Sequence, residues 1–382
     1  MHEGAALYSH RERRKKTPAS NEKLLLSMAL LDRVGGDFRF ETSAAVRSTA
    51  GGVVPGNLWI LGHGDPTLTS GGNYAEALSG FGATRLGALA RRIKAGGIKH
   101  VQGSIVGGTG YFQRDWWAPG WEPTFPAEEV AIPTSLTFNG NQHHGRHIVD
   151  PERRAARWLT KKLRSLGVTV GGAPQVGRPP PSKIVVAEVR SKPLAKLMRF
   201  MNRNSSNFFA EVLGKRLAVA AGSGWGSIAK GARAIARFAE SRGVTLTSND
   251  SSGLSYDNRV APSGIVKLLD ASDPEWKRTL RSTLPAYGEG TLEDRYARAH
   301  IRAKTGTLEN ISALSGWVTL ERSGTWAEFS IMSRGMPKST AAEIEDRIVH
   351  LVARYAGPLA TRGPVRSATP VAELDWNHRP LA

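Results

Sequence analysis

The stretch from Ser20 to Val34 constrains this chain most. Leu24, Leu25, Met28 and Leu31 recur at the spacing of one helical face, and Gly35-Gly36 closes the run. These leucines predict a helix anchored in a core. At its start stand a hydroxyl, Ser20, and an amine, Lys23, three residues apart and so on one face. A basic run (Arg11, Arg13, Arg14, Lys15, Lys16) precedes it, and basic followed by apolar imitates a secretion signal. The imitation fails, because Ser27 interrupts the apolar part, Asp32-Arg33 ends it, and no small-residue cleavage pattern follows. No run of about 18 apolar residues exists, so no membrane-spanning helix is predicted.

At 382 residues the length suggests two domains, or three small ones. The balance of 52 Lys+Arg against 33 Asp+Glu leaves a net charge of +19. Such a field draws polyanions: nucleic acid, anionic membrane or acidic wall polymers. It is equally what a solvated, arginine-rich surface looks like. No nucleic-acid fold motif with interleaved aromatics accompanies it, so no nucleic-acid partner is expected. The absence of cysteine excludes disulfides, thiolate nucleophiles and sulfur-ligated metals.

Residues 5–9 read as part of a strand that has lost its beginning. From about 46 to 150 the chain is rich in glycine and short apolar runs, such as NLWILGHGDPTL and HVQGSIVGG, with one helical stretch near 82–96. An α+β or mostly β module fits. RDWWAPGWEP reads as a self-packed surface loop. Residues 151–167 predict a helix with Ala155, Trp158, Leu159 and Leu163 on one face. The Pro-rich run 178–183 is the linker candidate. Helices are then expected at 192–203, 206–219 and 227–241, with a Gly-rich turn at 222–226. NDSSGLSYDNRV reads as a loop, and RAKTGTLENISALSGWVTL as two strands joined by a turn. Another strand follows near 326–332. In a last helix from about Lys338, Thr340 and Glu343 suit a capping box, with Ile344, Ile348, Leu351 and Val352 as the core stripe.

S-x-x-K occurs twice, at Ser20/Lys23 and Ser227/Lys230. S-x-N stands at Ser205-Ser206-Asn207 and K-T-G at Lys304-Thr305-Gly306. Taken from Ser20, the three elements follow the order found in β-lactamases and penicillin-binding proteins. Ser227/Lys230 falls after the S-x-N element and reads as a helix start with a solvated lysine. The chemistry explains the spacing. A serine needs a base within hydrogen-bond reach, and a lysine is a base only if its ammonium loses a proton easily. Burial and a second cation, for which Lys304 is the candidate, both favour the neutral amine. Ser205 is placed to relay a proton, and Asn207 to orient the acyl chain and Lys23. A K-T-G strand can pair with an extended ligand while Lys304 and Thr305 meet a carboxylate. His143, His144 and His147 have ligand-like spacing without a nearby acid and are read as a loop, so no metal site is expected.

On these motifs the chain resembles the class C low-molecular-weight penicillin-binding proteins, the D-alanyl-D-alanine carboxypeptidase/endopeptidase family. TPASNEKLL, GNLWILGHGDPTL, MNRNSSNFFAEVLGK, NDSSGLSYDNRVAP and AKTGTLENISALSGWV carry the likeness, from about residue 5 to 357. The resemblance implies an α+β fold, a β-lactamase/transpeptidase-like sheet flanked by helices with a smaller inserted domain. Residues 1–45 plus 182–382 would form a catalytic domain, incomplete at its N-terminus, and 46–181 the insertion. It implies acylation of Ser20 by a peptidoglycan stem peptide ending in D-Ala-D-Ala, release of D-alanine, and inhibition by β-lactams. Lys23 would be the base, Ser205, Asn207 and Lys304 the other catalytic groups, and Thr305, Gly306 and Thr307 the substrate strand. The Ser20 and Thr307 N–H groups would form the oxyanion hole. No cofactor is implied, and an extracytoplasmic location is, although no signal peptide is visible. Three departures stand out: Ser206 replaces the usual aspartate, the insertion looks short, and the chain begins inside the first strand. The alternative is an inactive wall-binding or scaffolding paralogue on the same fold. Carboxypeptidase and endopeptidase begin with the same acylation, so the sequence does not separate them; nor does it give the oligomeric state.

Overall fold

A computed structural model of the chain describes residues 6–271, 273–295 and 299–355. Its larger elements begin with α1 (Glu22–Val34), β1 (Glu41–Val46), β2 (Leu58–Gly62), α2 (Leu86–Ala95), β3 (Ile105–Gly108), α3 (Pro151–Ser165), β4 (Gln175–Gly177) and β5 (Ile184–Arg190). They continue as α4 (Leu194–Asn204), α5 (Asn207–Ala220), α6 (Ile228–Glu240), α7 (Pro262–Asp270) and α8 (Pro274–Thr283). Last come β6 (Ile301–Leu308), β7 (Ile311–Thr319), β8 (Trp326–Arg334) and α9 (Lys338–Ala353).

The leucine stretch is an interior helix. Every residue from Glu22 to Leu31 is buried, and α4, α5, α6 and α8 pack around it. Leu24, Leu25 and Met28 share one core with Phe209, Val212, Ile235 and Trp317. Gly35 ends α1 at φ +78°, a backbone angle that costs glycine little. β6, β7 and β8 form an antiparallel sheet in that order. Ala313, Trp317 and Met332 face the α1 core. Ile301, Ala303, Leu314, Val318 and Phe329 face the other way, onto Val349 and Ala353 of α9. The period of two along each strand thus buries both faces, giving the expected α+β sheet flanked by helices.

A second, five-stranded sheet runs in the order β4-β3-β2-β1-β5. It takes in Glu41–Val46 and Ile184–Arg190 from either side of the Gly-rich segment. Leu58 and Ile60 pack under α2 and α3 with Leu89, Ile93 and Leu159. Trp59 and Leu61 point to the opposite face with Ala45 and Val106. The Pro-rich run 178–183 is a strap across this sheet. It leaves β4 at one edge, level with Leu61, and enters β5 at the other, level with Leu58, so four inter-strand gaps and three residues along the strands separate its ends by about 22 Å. Seven polyproline steps reach ~22 Å, so the run is just long enough. Pro179 and Lys183 share a cavity with Leu61, which places the strap over the Trp59–Leu61 face.

Two expectations fail. Residues 6–9 form no strand, and Ala5 lies outside the described residues. The last helix has no capping box, since Pro337 precedes its first turn with no side-chain cap. Its buried face is Ala341, Glu345, Val349 and Ala353, while Leu351 is 67% exposed and Ile344 38%. Glu345 is buried because Arg295 and the Ser312 hydroxyl pair with it, and that rotates the helix away from the apolar stripe.

Candidate active site

Ser20 sits in a 3-10 turn, Ala19–Asn21, that leads into α1. The turn is held from several sides. Lys16 and Val260 form a backbone bridge. Asn21 Nδ2 donates to Ser315 Oγ at 2.9 Å, and Ser315 lies directly opposite Lys304 in the β6–β7 register. Ala19 is thereby kept at φ +48°. Ser20 does not cap α1. Asn21 occupies the cap position without a side-chain bond, which leaves the Ser20 hydroxyl to Lys23.

Lys23 is fully buried. Its Nζ lies 2.9 Å from Ser20 Oγ, 2.7 Å from Asn207 Oδ1 and 2.5 Å from the carbonyl oxygen of Ser252. Burial lowers its pKa to about 8, against the upward pull of Asp250, Glu211, Glu129 and Glu22. A second cation is not among the main influences on Lys23. The coupling is visible on the other partner: Lys304, also fully buried, is held well below the usual lysine range by burial and then by Lys23.

The S-x-N element makes a corner between two helices. Ser205 ends α4 in the left-handed region at φ +51°, Ser206 caps α5 by accepting from Phe209 N, and Asn207 opens α5. Serine caps a helix as well as aspartate does, which is why the corner forms without the usual residue. Lys304 Nζ donates to Ser205 Oγ at 2.9 Å and to the Thr305 carbonyl at 2.8 Å. Gly306 lies against the nucleophile turn, where a Cβ would stand 2.6 Å from Pro18 O. Ser20, Ser205, Asn207, Thr305, Gly306 and Thr307 line a single cleft of about 790 Å³. Lys23 and Lys304 lie beneath its floor.

Ser227 and Lys230 stand apart. Ser227 Oγ caps α6 by accepting from the Lys230 N–H, and Lys230 is not merely solvated. Its ammonium donates to the Ser223 carbonyl and sits 3.6 Å from the Trp225 ring centroid. His143 and His147 belong to a two-stranded hairpin, with the His147 Nδ1 against Pro126 O. The tryptophan loop is more than self-packed surface. Trp121 Nε1 donates to Asp250 Oδ2 at 2.7 Å, and Phe125 and Glu129 form one wall of the cleft.

Sequence reading missed the rear of this site. Ser252 contributes a carbonyl, which carries no side-chain signature. Asp250 accepts from Trp121, Ser255 N, Gly253 N and Asn258 Nδ2, and so shapes the loop that presents Ser252. Glu211 reads as an ordinary helix residue. Its burial and its raised pKa, about 8 by desolvation, appear only in three dimensions.

A serine hydroxyl on a buried lysine, facing a hydroxyl–amide corner and a K-T-G strand edge, defines a serine-type peptidase of the penicillin-binding class. The D-Ala-D-Ala carboxypeptidase 3 (S13) family model matches residues 1–135 and 128–355, and the chain belongs to that family. It is 28% identical to a D-alanyl-D-alanine carboxypeptidase of Actinomadura sp. (strain R39), over 98% of this chain and 84% of the relative. It is 31% identical to a carboxypeptidase of Mycobacterium tuberculosis, over 83% of this chain and 70% of the relative. The fold matches penicillin binding protein 4 of Haemophilus influenzae with a TM-score of 0.77 at 21% identity, covering 91% of this chain and 94% of the other.

Proposed function

We propose that Ser20 is acylated by peptidoglycan stem peptides ending in D-Ala-D-Ala, with release of D-alanine and hydrolysis of the acyl-enzyme by water. The observation that carries this reading is the environment of Lys23 Nζ. A neutral amine has two hydrogens and one lone pair. With the hydrogens donated to Asn207 Oδ1 and Ser252 O, the lone pair falls on the Ser20 hydroxyl. Ser20 Oγ attacks the carbonyl carbon and its proton passes to Lys23. The oxyanion meets the N–H groups of Ser20 and Thr307, each such donor being worth about 2.7–4 kcal/mol of barrier. Collapse breaks the C–N bond; Ser205 gives its hydroxyl proton to the leaving amine and takes one from the Lys304 ammonium that donates to it, so that one proton has left Lys304 and one, from Ser20, has been gained by Lys23. The terminal carboxylate meets Thr305 above Lys304, and its charge favours the ammonium form of that lysine again.

β-Lactams, whose ring amide is opened by the same attack, acylate Ser20 as well. Penicillin binding protein 4 of H. influenzae has been solved in complex with a β-lactam. The substrate lies outside the cytoplasmic membrane, and the +19 charge suits contact with anionic wall polymers. Two units account for the chain: a catalytic unit holding both ends, and an inserted unit whose sheet draws in the flanking strands β1 and β5. The native protein releases D-alanine from a peptide ending in D-Ala-D-Ala, and Ser20→Ala releases none. Equal release from both would refute the assignment.

A further inference from the structure

Behind Lys23 lies a buried carboxyl group that the reaction above does not use. Glu211 is on α5, one helical turn beyond Asn207, and is fully buried. Its Oε1 accepts from two consecutive backbone groups, Ser251 N at 2.9 Å and Ser252 N at 2.7 Å. Its Oε2 is buried without a partner. The peptide plane gripped in this way leads into the Ser252 carbonyl, which accepts from Lys23 Nζ.

We infer that Glu211 is a positioning residue for Lys23: by clamping the Ser251–Ser252 backbone it aims the Ser252 carbonyl, and hence the lysine lone pair, at Ser20. One helix then sets both acceptors of the base. Asn207 does so directly, and Glu211 does so through the loop. Gly214, one turn further along, leaves the room this needs, since a Cβ there would stand 1.9 Å from Ser251 Oγ. Asp250 and Glu22 grip the same loop at other atoms, Asp250 at Gly253 N, Ser255 N and the Ser252 hydroxyl, and Glu22 at Ser248 Oγ. Glu211 alone holds the N–H of the residue whose carbonyl meets Lys23. The inference rests on the assignment of Lys23 as the base.

Reach and ionisation can be separated by two variants. Glu211→Asp keeps an ionisable carboxyl group but is one methylene too short to hold both N–H groups. Glu211→Gln keeps the length and an acceptor oxygen but cannot ionise. The readout is the acylation rate constant with a chromogenic β-lactam, measured apart from the fraction of protein labelled. A clamp predicts Glu211→Gln within about threefold of the native rate constant and Glu211→Asp at least about tenfold slower, in line with the penalty for misplacing a catalytic group. A merely structural residue would lower the fraction labelled and leave the rate constant of that fraction unchanged. Native speed in folded Glu211→Asp, or a greater loss in Glu211→Gln than in Glu211→Asp, would overturn the clamp. If Glu211→Asp does not fold, a loss of about thirtyfold or more in Glu211→Gln still overturns it. Failure of the native protein to acylate at all would instead refute the assignment of function.

Discussion

Gly306 shows how little room surrounds the nucleophile. A Cβ there would stand 2.6 Å from Pro18 O and 3.2 Å from Ala19 Cβ. On the other side, Gly253 at φ +83° would bring a Cβ to 1.9 Å from Ala19 O. Both glycines hold the turn that presents Ser20, so substituting either should move it. Gly253→Ala is expected to destabilise by about 1–3 kcal/mol through its left-handed backbone alone, and to slow acylation further, as read by urea unfolding and β-lactam kinetics. With Lys23 as the proposed base, its titration sets the pH dependence. Burial favours the neutral amine, and the base form predominates above about pH 8. The acylation rate constant should therefore rise with pH, about tenfold per unit, and level off above that midpoint. A flat profile between about pH 6 and 9 would contradict Lys23 as the base.

At the level of elements, the site depends on joints between helices and loops. Ser206 caps α5, so Ser206→Ala should cost about 1 kcal/mol of stability and Ser206→Asp almost nothing, measured by denaturant unfolding. Lys215, also on α5, is fully buried and donates to the carbonyls of Gln113, Asp115 and Pro133 while pairing with Asp115 at 2.7 Å. It fastens the tryptophan loop, which leads into the Phe125 and Glu129 wall of the cleft. Lys215→Met leaves those acceptors unmet and should destabilise by about 3–5 kcal/mol. These joints also mark what could be read beforehand. Ser20 and Lys23 are three apart across the 3-10 turn and the start of α1, and the S-x-N and K-T-G elements are each contiguous, so local spacing exposes them. Ser252, Glu211 and Lys215 act across long sequence separations through backbone groups, which leave no residue pattern. The stripe of α9 was misread for a related reason: Glu345 is buried by partners, Arg295 and Ser312, that lie far away in sequence.

For the whole molecule, two sheets divide the work. The β6–β8 sheet and the α1 core hold the residues proposed to carry the chemistry. The five-stranded sheet, closed by the Pro-rich strap, is built on the connection between α1 and α4. The short apolar run around Leu58–Leu61 was legible as part of an α+β or mostly β module, but the sheet's reach into 41–46 and 184–190 was not, because pairing partners are not written in either strand. Among the described residues no helix is long and apolar enough to cross a membrane. The apolar run after the basic segment is instead the buried part of α1, up to Leu31. The central claim is that Ser20, backed by buried Lys23, is the acylated group. Mass spectrometry of the penicillin-treated protein tests it most directly. The account predicts one penicilloyl adduct, on the peptide containing Ser20, retained in Ser227→Ala and lost in Ser20→Ala. An adduct on another residue, or none on folded native protein, would contradict it.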